Sequence, residues 1–198
     1  MKLSRTKNIF QSLFKLLSSK VNENEFTDFD KLWSLFIFFL LFIGANHSAK
    51  AQDSLVGGTL EENQVWSNTY TYIVYKDLRI PEGIKLTIEP GVTIKVNQGR
   101  GIYVLGGTLT IDGLTVEKID SVYFVANHTD RSQDWKWNGI SFTGCSGSTL
   151  NYLSYVNIVD AEIAVDIYNS EQIIIKNSSL LDNQNIGVRI FNSKNFIK

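Results

Sequence analysis

Two blocks of this chain return after the same interval. Leu86-Thr87-Ile88-Glu89 reappears as Leu109-Thr110-Ile111-Asp112, 23 residues later, and Gly83 maps onto Gly106 by the same shift. Near the other end, Ile163-Ala164-Val165-Asp166-Ile167-Tyr168-Asn169-Ser170 returns as Ile186-Gly187-Val188-Arg189-Ile190-Phe191-Asn192-Ser193, again 23 residues on. Two independent pairs sharing one period specify a repeat architecture. Each copy alternates apolar and polar residues, is rich in Ile, Val and Thr, and is broken by Gly, Asn or Asp, which is a strand pattern. A unit of this length holds two or three short strands and cannot bury its apolar face alone, so successive units must stack. The expectation is a coil of strands, each pairing in parallel with its equivalent one turn away. Val165 and Ile167 then point inward with Ile163, and Asp166 sits beside Arg189 roughly 4.8 Å off.

Gly187-Val188-Arg189-Ile190 and Ile173-Ile174-Ile175-Lys176-Asn177 resemble the repeat of the right-handed parallel β-helix, the pectin-lyase-like fold. Val65-Trp66, Asp77-Leu78 and Leu86-Thr87-Ile88-Glu89-Pro90-Gly91 are similar to the entry segment of secreted bacterial members. The resemblance covers about residues 56 to 198. It implies an all-β, right-handed solenoid of about 23 residues per coil, with five or six coils, and leaves function open because this fold hosts unrelated activities.

The order of the chain sets the expected divisions. Leu32–Gly44 is an apolar run of 13 residues, too short for a comfortable span of about 20, and Ala49-Lys50-Ala51 follows as an A-x-A cleavage pattern. Residues 1–51 are therefore expected to be a signal peptide with a long leading region, cut before Gln52, and export to the exterior or cell surface follows. An uncleaved signal anchor tethering the chain to a membrane is the alternative. Residues 52–64 read as a linker, 65–82 as an aromatic-rich N-terminal cap, and 83–198 as coils. Leu114–Val125 alternates like a strand through Val116, Ile119, Val122 and Phe124. Ala126–Asn138 breaks the rhythm and reads as a projecting loop. Gly139 restarts the repeat, with Ile140, Ile163 and Ile186 expected in one column. Phe196-Ile197-Lys198 aligns with Ile173-Ile174-Ile175, so the last coil is expected to be incomplete, with self-association through that open end as a consequence.

Composition limits the function. With 43% hydrophobic and 20% charged residues, the chain is a folded protein rather than a disordered one. Residues 1–51 hold seven Lys and Arg against four Asp and Glu, leaving twelve against sixteen and a net charge of −4 for the rest. No basic stripe is present, so nucleic acid is not an expected partner. Cys145 is the single cysteine, which excludes an internal disulfide and reads as a small apolar packing residue.

Catalytic groups are sparse. His128 is the only histidine after residue 51 and is expected in an exposed loop, so neither a histidine metal cluster nor a Ser-His-Asp set is available. No catalytic residue, metal or cofactor is assigned. The polysaccharide lyases that the fold resembles hold calcium on acidic groups, which makes Asp160, Glu162, Asp166 and Asp182 the candidates. Asp160 and Asp182 also read as turn residues, and Asp166 as the partner of Arg189. The most site-like group is Trp135 with Asp134, Arg131 and Asp130 in the projecting loop, since aromatic faces stack on sugar rings and neighbouring polar groups fix hydroxyls. Trp137 reads as packing and Trp135 as the ligand contact. Asn169 and Asn192 are expected as stacked turn residues, with Asn177 in a second turn, and Asn127 and Asn177 head sequons. The expected function is non-enzymatic binding of a polysaccharide or cell-surface glycan. The alternative is the N-terminal part of a lyase or glycoside hydrolase whose site lies mostly in further coils.

Overall fold

The computed structural model describes residues 52–128, 135–147 and 150–197, with the backbone alone at 195–197. The expected signal segment, 1–51, lies outside the described residues. Short runs of alternating apolar and polar residues, many closed by a glycine or a left-handed turn residue, form strands here because every strand finds a parallel partner one turn away.

The first coil comprises β2 (Gln64–Trp66) and β3 (Tyr70–Pro81), and β3 bends so that its halves serve two faces. The second holds β4 (Lys85–Ile88), β5 (Thr93–Val96) and β6 (Gly101–Leu105). The third holds β7 (Thr108–Asp112), β8 (Val122–Ala126) and β9 (Gly139–Thr143). The fourth holds β10 (Asn151–Ser154), β11 (Val156–Val159) and β12 (Ile163–Tyr168). The fifth holds β13 (Glu171–Lys176), β14 (Ser179–Leu181) and β15 (Ile186–Phe191), and β16 (Lys194–Ile197) opens a sixth. Stacking these coils gives three faces: β2-β4-β7-β10-β13-β16; the first half of β3 with β5-β8-β11-β14; and its second half with β6-β9-β12-β15. All pairings between named strands are parallel, and the described regular elements are all strands. The chain is an all-β parallel solenoid.

Register explains the repeat and its exceptions. Leu86 pairs with Leu109, and Ile163 with Ile186, as the 23-residue step requires. The column expected through Ile140, Ile163 and Ile186 is corrected: Ile140 pairs with Val165, 25 residues on, and Val165 pairs with Val188. Two excursions lengthen the third coil. Between β7 and β8 the chain leaves the stack as a small hairpin, bridged at Leu114 and Ile119, with Thr115 closing a turn through its hydroxyl, which accepts from Glu117 N and Lys118 N. The strand alternation expected over Leu114–Val125 therefore holds only from Val122, and Val116 stands fully exposed at the tip. The second lies between β8 and β9, where residues 129–134 of the loop expected over Ala126–Asn138 lie outside the described residues and Ala126 itself belongs to β8.

Residues 52–59, expected within a linker, form β1 (Gln52–Thr59), which pairs along both halves of β3. Residues 65–82, expected as a cap, are strands of the first full coil. Trp66 and Tyr72 stack at 4.3 Å between ring centroids, and with Leu60 all three are buried under that first coil's edge.

Side chains at alternate positions fill the interior. Val104, Leu109, Ile111, Phe124, Ile140, Phe142, Val165 and Ile167 are completely buried, so each coil covers the apolar face of its neighbours. The corners recur as well. Tyr155 and Asn177, Asp160 and Asp182, and Asn169 and Asn192 adopt positive φ between 47° and 61°, so left-handed turns stack in columns. Asn192 Nδ2 donates to Asn169 Oδ1 at 2.7 Å, the expected amide rung, and Asn127 Nδ2 donates to Asn97 Oδ1 at 2.8 Å in a rung the sequence did not reveal.

Candidate functional site

Before β9 the chain runs through residues 135–138, which are gripped from both sides. On the second coil, Gly99 N donates to Lys136 O at 3.1 Å and Asn138 N to Arg100 O at 2.8 Å. On the fourth coil, Trp137 N donates to Asp160 O at 3.3 Å and Glu162 N to Trp137 O at 2.7 Å. Trp137 is wholly buried, its Nε1 donates to Val159 O at 2.9 Å, and its ring lies over Phe124 at 6.2 Å. It is the packing residue expected. Gly139 is required next: its φ is +91°, and a Cβ there would land on the Ile163 carbonyl oxygen.

This footing holds Trp135, which is 36% exposed, at the edge of the surface. Its expected companions Asp130, Arg131 and Asp134 lie outside the described residues. Three other groups gather at the same corner. His128 Nε2 is 3.7 Å from Asp160 Oδ2, Lys136 Nζ is 3.6 Å from Asp160 Oδ1, and Lys136 Nζ also donates to Asp182 O at 3.3 Å. His128, expected in the open, is corrected: its side chain is only 7% exposed and lies against the Asp160 carboxylate. Its Nδ1 is shielded from solvent without a hydrogen-bond partner among the described residues.

The carboxylates proposed for calcium are arranged otherwise. Asp160 and Asp182 are stacked left-handed turn residues, Asp160 facing the Lys136 ammonium. Glu162 accepts from Asn185 at 3.4 Å. Asp166 takes a two-pronged contact from Arg189, at 2.9 Å from Nε and 2.6 Å from the terminal nitrogen, and this hydrogen bonding pushes the guanidinium pKa up. Beside that pair, Tyr168 and Phe191 stack at 5.3 Å with planes 5° apart. Such ring-on-ring packing turns the faces toward each other along the solenoid, so it serves as a ladder rather than an open sugar platform. Among the described residues, no three His, Cys, Asp or Glu side chains converge as a metal site.

A carboxylate already engaged by a cation is poorly placed to hold calcium or to shuttle a proton. Among the described residues the corner sets Lys136 and His128 against Asp160, next to Trp135. The packing of Trp137 was legible from its place two residues before Gly139. The His128–Asp160–Lys136 cluster was not, because the excursion between them removes the 23-residue frame. Comparison of the chain with family models, curated proteins and solved structures gives no match.

Proposed function

We propose that this chain is an exported, right-handed parallel β-helix of the pectin-lyase-like type that binds a polysaccharide or cell-surface glycan without turning it over. The observation that carries the reading is the footing of Trp135. Its neighbour two residues on is locked into the core, while Trp135 itself is displayed beside Lys136 and the Asp160 turn. An aromatic surface held rigidly loses little conformational freedom on binding, and charged neighbours can orient ring hydroxyls. The engaged state of Asp160 and Asp166 favours binding over lyase or hydrolase chemistry.

The test is binding of the full chain to a panel of soluble polysaccharides, neutral and uronate-rich, by affinity electrophoresis. Trp135→Ala should weaken retention by roughly tenfold, the worth of one aromatic contact, without moving the unfolding midpoint. Unchanged retention by Trp135→Ala, or no retention of the parent chain by any polysaccharide in the panel, would contradict the proposal.

A further inference from the structure

A second aromatic ring lies on the surface that residues 135–138 cross. Tyr103 points outward from β6, between Arg79 of the first coil and Ser141 of the third. Its ring does not stand up from the sheet. Gly101 precedes it by two residues and so shares its side of the strand. A Cβ built on Gly101 would meet Tyr103 Cζ and the hydroxyl oxygen at 2.9 Å and Cε2 at 3.0 Å. A point nearly equidistant from those three atoms lies off the ring plane, so the ring turns a face, not an edge, toward Gly101. Gly101 pairs with Gly139, which leaves the backbone bare across two strands where the ring rests. Tyr103 is accordingly half-buried.

The segment that carries Trp135 also pins this ring. Asn138 Nδ2 donates to the Tyr103 hydroxyl and to Gly99 O, each at 3.1 Å. Both amide protons are used in this way, so Asn138 has its Oδ1 left to accept. The Tyr103 hydroxyl accepts from Asn138 and keeps its own proton to donate. An acceptor and a donor therefore stand together at the rim of an aromatic face. Arg79, tethered to Asp77 at 3.3 Å, lies 6.0 Å from the ring centre, too far to be stacked on it. Trp135 precedes Asn138 by three residues, so their backbones are at most about 11 Å apart.

We propose that Tyr103, laid on Gly101 and pinned by Asn138, is a second sugar-stacking surface, which engages the same oligosaccharide as Trp135. The class of ligand rests on the binding role given to Trp135 above. A sugar ring offers an apolar C–H face and hydroxyls around its edge. The Tyr103 ring takes the first, while Asn138 Oδ1 and the Tyr103 hydroxyl take the second. Because the ring is already fixed by the glycine beneath and the amide beside it, little side-chain freedom is lost on binding. Two such surfaces within reach of one short oligosaccharide favour a chain of sugars over a single sugar.

Affinity electrophoresis of the full chain on the same neutral and uronate-rich polysaccharides tests this, with Gly101→Ala as the main variant. Its φ is not positive, and the atoms its methyl would strike first belong to the far end of Tyr103, which can swing away. Gly101→Ala and Tyr103→Leu should each lower retention about tenfold, the worth of one aromatic contact. Tyr103→Phe keeps the ring and should lower retention roughly threefold, the worth of one hydrogen bond. Urea midpoints should stay close to that of the parent. Adding Gly101→Ala to Tyr103→Leu should cost nothing more, since the ring it displaces is already gone. If Trp135→Ala weakens retention while Gly101→Ala and Tyr103→Leu do not, the second surface is refuted and the role of Trp135 stands. Additive losses in the double variant, or losses matched by a fall in the urea midpoint, would also overturn the proposal. No retention of the parent chain by any polysaccharide would overturn both readings.

Discussion

Gly139 is where the loop re-enters the stack, and replacing it by alanine tests the packing of the third coil on the fourth. Two costs combine. The backbone sits at φ +91°, a region that a side chain occupies at a cost of about 1–2 kcal/mol. The added Cβ also meets the backbone of Ile163 and lies 3.0 Å from Ala164 O, atoms held by the parallel ladder. Relieving such an overlap means shifting main chain, worth a further 1–3 kcal/mol or about that. Gly144→Ala is the matched control: its φ is +67°, and nothing lies within 4 Å of a Cβ built there. It should show the backbone cost alone. Urea unfolding followed by the fluorescence of buried Trp66 and Trp137 reads both. With a slope of about 2 kcal/mol per molar, Gly139→Ala should lower the midpoint by roughly 1–2 M and Gly144→Ala by about half that or less. Equal losses for the two variants would refute the close approach of Gly139 to the fourth coil.

Trp137→Ala removes a fully buried ring and its bond to Val159 and should cost about 3–5 kcal/mol, whereas Trp135→Ala should change the same urea midpoint little. Burial pushes the Cys145 thiol and the Tyr72 phenol up from their ordinary pKa values. The unfolded chain therefore loses these protons first as pH rises. These two groups should make stability fall above about pH 8.5, where a free cysteine ionises, which urea midpoints from pH 8 to 10 will show. For the same reason Cys145 should resist thiol reagents in the folded protein and react once unfolded.

The fold was legible where coils follow one another without interruption. Leu86 and Leu109 are joined by one undisturbed turn, as are Ile163 and Ile186, so the period appears in the letters themselves. Where a coil swells the period is lost: Ile102 pairs with Ile140 across the projecting loop, and Ile94 with Phe124 across the Leu114–Ile119 hairpin. β1 was hidden for a different reason. Gln52-Asp53-Ser54 and Gly57-Gly58 have weak strand propensity, and the strand exists because β3 offers a backbone edge to pair with. At the candidate site, Trp137 was legible as packing from its place two residues before Gly139, where the repeat restarts. His128 meets Asp160, a turn residue 32 positions away, and no local pattern encodes that contact.

The register of the third face tests the account most directly, because it departs from the simple period. Cysteines placed on directly paired, outward positions of parallel neighbours lie about 4.8 Å apart and can bridge. The pairs Asp166→Cys with Arg189→Cys, and Ser141→Cys with Asp166→Cys, should therefore oxidise readily to intramolecular disulfides, scored by mass after alkylation. Ser141→Cys with Ala164→Cys is the pair that a uniform 23-residue step would bring together, and it should remain reduced, with Ala164 turned into the core. Bridging of Ser141→Cys with Ala164→Cys in place of Ser141→Cys with Asp166→Cys would contradict the solenoid described.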